Sequence, residues 1–220
     1  MKFLLTSGGL TNKSIQDALR KLISPEKEIR IAFIPTAANT EDSNKSWLIN
    51  DLVNCNKMGS VDIVDISAIP KRLWSPRLKK ANVLFFGGGN TFHLRYWIKK
   101  SGLEKELPEL LKERVYAGIS AGSIVTNPTL SASSSKILYY EDLTLKKDMK
   151  GLKFVDFFIR PHLNSPHFPK LRTEILKEEM KHLSKPLYAI DDNTAIKVIN
   201  DKIEVISEGK WEILQPNKRK

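Results

Sequence analysis

Residues 118–122 read Gly-Ile-Ser-Ala-Gly, and they close an apolar run, 115–119, suited to a buried strand. A strand that ends in Gly-x-Ser-x-Gly and restarts as a small-residue helix presents its serine on a sharp turn with the hydroxyl facing outward. The glycines on either side let strand and helix approach without Cβ clashes. Ser120 is therefore a candidate nucleophile. The bland counterpart is a tight small-residue turn whose serine is idle.

A second chemical feature is Phe86-Gly87-Gly88-Gly89-Asn90-Thr91. Three glycines after a buried strand free the backbone to approach a ligand and to aim N–H groups at it, while Thr91 can begin a helix. Such donors suit the oxyanion of an acyl-transfer intermediate, with Gly88 or Gly89 supplying one N–H and Ala121 the other. Phosphate binding competes for the same glycines, but neither the P-loop lysine pattern nor Gly-x-Gly-x-x-Gly is present. A serine nucleophile needs a base, and the histidines are His93, His162, His167 and His182. His162 directly follows an apolar run, in Arg160-Pro161-His162, which puts it at the carboxyl end of a strand as Ser120 is. His93 falls early in a helix, His182 near the end of another, and His167 in a loop, so His162 is the general base expected.

These groups have to be positioned by a framework, and its periodicity is that of alternating strands and helices. Residues 2–5, 29–34, 61–64, 83–86 and 115–119 are short apolar runs rich in β-formers, while 13–22, 43–57, 91–101 and 104–114 have helical spacing. This βαβ succession implies an α/β fold: a mostly parallel sheet with helices on both faces and ligands at the carboxyl ends of its strands. The loops at 35–38 and 87–90 and the serine elbow all lie at such ends. Further on, 131–150 reads as a long polar segment, 154–159 as a strand and 170–182 as a helix. Residues 187–190, 195–199 and 203–207 read as strands, the last two a hairpin across Asn200-Asp201.

A chain of 220 residues with 41% hydrophobic content can bury a substantial core, and its length suits a single domain, 1–220. No apolar run approaches the roughly 20 residues needed to cross a bilayer, and the N-terminal one is too short for a signal peptide, so a cytoplasmic protein without a membrane partner is expected. The lone cysteine, Cys55, excludes an intrachain disulfide and a cysteine-rich metal site. The net charge of +11 invites a nucleic-acid partner. Its lysines are scattered in short groups among acids, with no accompanying motif, so solvated surface is expected instead.

Gly87-Gly88-Gly89-Asn90-Thr91-Phe92, Gly118-Ile119-Ser120-Ala121-Gly122 and Pro161-His162, in this order and spacing, resemble peptidase family S51, which contains aspartyl dipeptidase (peptidase E) and cyanophycinase. The resemblance runs from Met1 to about residue 200. It implies a flavodoxin-like three-layer fold similar to class I glutamine amidotransferases, with a nucleophile elbow and serine in place of their cysteine. It also implies hydrolysis, without metal or other cofactor, of small peptides with an acidic N-terminal residue (Asp-X). Carried onto this chain it makes Ser120 the nucleophile, His162 the base, and Gly88, Gly89 and Ala121 the oxyanion donors. In aspartyl dipeptidases an acid is assigned to the loop after the elbow, where this chain has Ser131 to Ser135 and only later Glu141 and Asp142. Cyanophycinase-like members place theirs in a Gly-Ile-Asp-Glu-like segment, which Ile190-Asp191-Asp192-Asn193 resembles, so Asp192 is favoured; a plain strand-connecting turn fits that composition too. Asn90, Arg160 and Arg172 are the candidates for holding substrate, the arginines by bidentate pairing with a carboxylate or else as surface charge. Two other functions share these features: a catalytically altered homologue that binds a small acidic ligand, and an amidotransferase-like partner subunit. A monomer or homodimer is expected.

Overall fold

A computed structural model of the chain describes residues 1–24, 27–42, 44–141 and 147–216. The first half alternates β1 (Lys2–Thr6), α1 (Lys13–Leu22), β2 (Arg30–Ile34), a 3-10 turn (Thr36–Thr40), α2 (Ser46–Met58), β3 (Ser60–Ile63), α3 (Lys71–Lys80) and β4 (Val83–Phe86). It continues through α4 (Thr91–Lys100), α5 (Leu103–Leu110), β5 (Val115–Ile119) and α6 (Ala121–Ile124). Then follow β6 (Thr129–Leu130), α7 (Ala132–Tyr139), β7 (Met149–Lys150), β8 (Phe158–Arg160) and α8 (Thr173–Met180). The chain closes with β9 (Leu187–Ile190), β10 (Thr194–Ile199), β11 (Lys202–Ser207) and β12 (Trp211–Leu214).

A seven-stranded sheet in the order β11-β10-β1-β5-β4-β2-β3 organises the molecule. The pairs among β1, β5, β4, β2 and β3 are parallel, while β10 is antiparallel to both β1 and β11. Strand pleating sends successive side chains to opposite faces. Leu84, Phe86 and Tyr116 therefore enter one core with Trp74, Leu94 and Leu107 from the helices. Val83, Phe85 and Ala117 enter the other with Ile15, Leu19 and Met58. This is the α/β arrangement with helices on both faces that the periodicity implies. β8 and β9 pair in parallel, and β12 pairs antiparallel with β9, forming a separate small sheet. A third core of Leu138, Phe158, Leu176 and Leu187 packs α7 and α8 on it.

Strand order brings the chemical loops together. β5 lies between β1 and β4, with Thr6 paired to Ile119 and Phe86 to Gly118, so three neighbouring strands end side by side. Because β10 runs antiparallel, its amino end meets the carboxyl end of β1, with Ala195 opposite Thr6. That places Asp192 at the same edge. The Leu163 N–H donates to Ile190 O (3.0 Å), which fastens the loop after β8 to the segment carrying Asp192.

Several elements differ from the expectation. α3 has no counterpart in it, because Pro70 and Pro76 break the pattern there; Pro76 removes the N–H that would bond Arg72 O, and burial of Trp74 and Leu78 holds the helix together. Inside the polar segment 131–150, α7 forms behind its Ser131 cap and buries Leu138; residues 142–146 lie outside the described residues, as does Ser43, where α2 was expected to begin. The run 154–159 is strand only from Phe158. Val155 and Phe157 pack into the core, and Phe154 N bonds Thr126 O (3.0 Å) in place of a ladder partner. α8 is shorter than 170–182, since Arg172 is extended at its N-cap. β12 was not anticipated. The Asn200-Asp201 hairpin turn forms with both residues at positive φ, 46° and 68°.

Candidate functional site

The elbow is built by contact. Ser120 has φ 47° and ψ −106°, a conformation that costs a non-glycine residue about 1–3 kcal/mol. Its N–H donates to Thr6 O (3.1 Å), and its carbonyl accepts from Ser123 and Ile124 (both 2.8 Å), so neighbours on both sides impose the strain. The flanking glycines are obligatory. A Cβ on Gly118 would stand 2.6 Å from Gly122 C, and one on Gly122 would stand 2.1 Å from Phe86 O. The buried Tyr116 hydroxyl donates to Gly122 O (2.6 Å), tying strand to helix.

His162 Nε2 lies 2.9 Å from Ser120 Oγ, and its Nδ1 lies 2.6 Å from Asp192 Oδ1. Donation from Nδ1–H to the carboxylate leaves Nε2 as the acceptor for the serine proton. The ring stacks on Phe168 at 4.6 Å between centroids, with Tyr139 edge-on at 6.5 Å. His162 itself has φ 65°. A residue that sequence reasoning missed holds it there: Ser7 Oγ accepts from His162 N–H (2.8 Å) and donates to Asp192 Oδ1 (2.6 Å). Its signal was position alone, immediately after β1 at the edge where the other loops gather. Burial acts to raise the Asp192 carboxyl, but hydrogen bonding and charge from His162, with the Ser7 hydroxyl, outweigh it and hold it below the usual carboxylate range.

The glycine loop faces Ser120 from β4. Gly89 needs its freedom: its φ is 121°, and a Cβ would lie 2.3 Å from Ala37 O. Gly87 and Asn90 donate to Ile34 O (3.0 Å) and Ala37 O (2.9 Å), while among the described residues the N–H groups of Gly88 and Gly89 have no acceptor. A Cβ built on Gly88 would stand 3.7 Å from Ser120 Cβ, which shows how closely the loop approaches the serine.

A cavity of about 890 Å³ opens over these groups, its wall including Ser7, Gly88, Gly89, Ser120, His162 and Asp192. The lining also includes Trp47, Asn50, Asp51 and Asn54 from α2, and Glu141. Burial pushes both Asp51 and Glu141 up to about 7. Glu141 is not the acid beside His162: its Oε1 accepts from Thr91 N (2.9 Å) and Thr91 Oγ1 (2.7 Å). Asp142 lies outside the described residues.

The residues expected to hold substrate sit elsewhere. Arg160, 5% exposed, spends its guanidinium on Glu179, with Nε to Oε2 at 3.0 Å. Arg172 donates to the carbonyls of Ser165, Phe168 and Leu171, knitting the loop before α8. Asn90 caps α4, its Oδ1 accepting from His93 N (2.9 Å). None of the three lines the cavity. Sequence position put them near His162 and the glycines, but their partners, Glu179 above all, are fixed by tertiary packing. His167 does reach the cavity wall; His93 and His182 do not. No helix among the described residues is long and apolar enough to cross a membrane.

Residues 3–206 match the family model of peptidase family S51. An uncharacterised peptidase of Pasteurella multocida is 26% identical over 205 residues, 90% of this chain and 87% of that one. A probable alpha-aspartyl dipeptidase of Drosophila melanogaster is 27% identical over 60% of this chain and 55% of its own. A crystal structure of a candidate peptidase E from Listeria monocytogenes, 24% identical, shares the fold with a TM-score of 0.77 and covers 94% of this chain and 98% of that one. With the match spanning nearly all of its length, the chain belongs to peptidase family S51 and is a peptidase.

Proposed function

We propose that this peptidase hydrolyses short peptides by a serine mechanism. Ser120 Oγ attacks the peptide carbonyl as His162 Nε2 takes its proton, and Asp192 fixes the imidazole's tautomer and stabilises the imidazolium. The N–H groups of Ala121 and of Gly88 or Gly89 receive the developing oxyanion. His162 then passes the proton to the leaving amine, and water, deprotonated by the same imidazole, releases the acyl group and restores Ser120. The observation that carries this reading is the unbroken hydrogen-bonded line from Asp192 through His162 to a serine held on a strained elbow. A cavity of about 890 Å³ favours a substrate of a few residues over a folded chain.

The name of the Drosophila relative favours a second, finer reading, an aspartate on the amino side of the scissile bond. The arginines expected to pair with its carboxylate are engaged elsewhere, so the proposal stays with short peptides as the class. Ser120→Ala should keep the fold, since alanine fits the turn, and should lower kcat on dipeptides by at least about 10³-fold. Near wild-type turnover by that variant would remove the serine mechanism.

A further inference from the structure

Glu41, Asp51 and Glu141 line the cavity beside Ser120, and none of them forms an ion pair among the described residues. Glu141 is 7% exposed, and while Oε1 is satisfied by Thr91, Oε2 is buried and has no hydrogen-bond partner among the described residues. A carboxylate oxygen left in this state is costly until a donor reaches it. Glu41, which also lines the cavity, adds repulsion, and the charge of Arg160, already paired with Glu179, offsets it only weakly. Asp51, on α2, lines the same cavity, and among the described residues no basic group offsets the burial of its carboxyl. Among the described residues, the other lining groups that can carry positive charge are Lys57 and His167, with His162 already held by Asp192.

We propose that Glu141, with Glu41 as its acidic neighbour, forms a subsite for an ammonium group, so that the peptides bound best carry a positive charge on the amino side of the scissile bond. An ammonium offers three N–H donors and no acceptor, which matches the vacant Glu141 Oε2 and the repulsion that Glu41 adds there. Either a free α-amino group or a basic side chain supplies that chemistry. This inference rests on Ser120 as the nucleophile only for where the scissile bond lies.

Binding to Ser120→Ala, measured by calorimetry, tests charge selection independently of turnover. The ligands are Lys-Leu, norleucyl-Leu and Asp-Leu, each with a free and an acetylated amine. A charge-assisted hydrogen bond corresponds to about 10- to 100-fold in affinity. Loss by that factor on acetylation assigns the subsite to the α-amine, and loss by that factor from Lys-Leu to norleucyl-Leu assigns it to the side chain. Asp-Leu, whose side chain adds a further carboxylate, should bind more weakly than norleucyl-Leu, and Glu141→Gln and Glu41→Gln, both nearly isosteric, should each reduce the discrimination. Affinities unchanged both by acetylation and by exchanging Lys-Leu for norleucyl-Leu would overturn the ammonium subsite. Hydrolysis by the wild type, read beside these affinities, reports separately on the serine mechanism.

Discussion

Ser7 is the residue through which the backbone of His162 and the carboxylate of Asp192 are joined, since one hydroxyl accepts from the first and donates to the second. Removing it should leave the reacting groups present but less well held. Ser7→Ala should lower kcat about tenfold, the worth of a hydrogen bond or two, with KM little changed and the acid limb of the pH–rate profile displaced. Ser7→Thr, which keeps the hydroxyl, should restore most of the loss. A Ser7→Ala enzyme with wild-type kcat and pH profile would make the hydroxyl a bystander. The convergence of Ser120, His162 and Asp192 was legible because each follows or precedes a run of strand residues whose edge is fixed by α/β topology. Ser7 carries no motif, and its relevance appears only once β1, β5 and β10 are packed; the sequence offers Glu141 only as an acid for the triad, and its place in the cavity lining appears with the packing of α4. Arg160 illustrates the reverse error: adjacency to His162 in sequence suggested substrate contact, whereas Glu179, a turn or two along α8, claims its guanidinium.

At the scale of elements, two glycines separate packing from chemistry. Gly122 touches Phe86 O where α6 crosses β4, with no space for a methyl group, so Gly122→Ala should lower the melting temperature by roughly 6–12 °C, as overpacking of about 3 kcal/mol does in a chain of this size. Gly88 has ordinary van der Waals room for a Cβ, so Gly88→Ala should melt near wild type yet lose activity, because that methyl stands over the serine. Thermal scans and dipeptide turnover on both variants check the contrast; similar melting of the two would refute the close-packed elbow. Strands β1, β2, β4 and β5 were readable because parallel strands buried on both faces are continuous apolar runs. α3 was obscured by its prolines, β12 by its shortness and polar alternation, and the length of β8 by apolar residues that serve the core instead of the ladder.

For the molecule as a whole, the buried acids of the cavity make stability fall as pH rises. Glu141 moves from an ordinary 4.5 to about 7, so the unfolded chain gives up its proton first and folding loses up to about 3 kcal/mol between those values. Asp51 acts in the same direction. Glu141→Gln has no proton to lose, so from pH 5 to pH 8 its stability relative to wild type should shift in its favour by about 2–3 kcal/mol in denaturant unfolding. An unchanged difference would contradict the desolvated state of that carboxyl. The same edge of the sheet gathers Ser7, Ser120, His162 and Asp192 from positions spread along the chain, and the account stands on their acting together on one hydroxyl. Treatment with a fluorophosphonate, followed by peptide mapping in a mass spectrometer, tests this most directly. The account predicts a single adduct on Ser120 in the wild type, formed much more slowly in Asp192→Asn; an unlabelled Ser120, or labelling indifferent to Asp192, would contradict it.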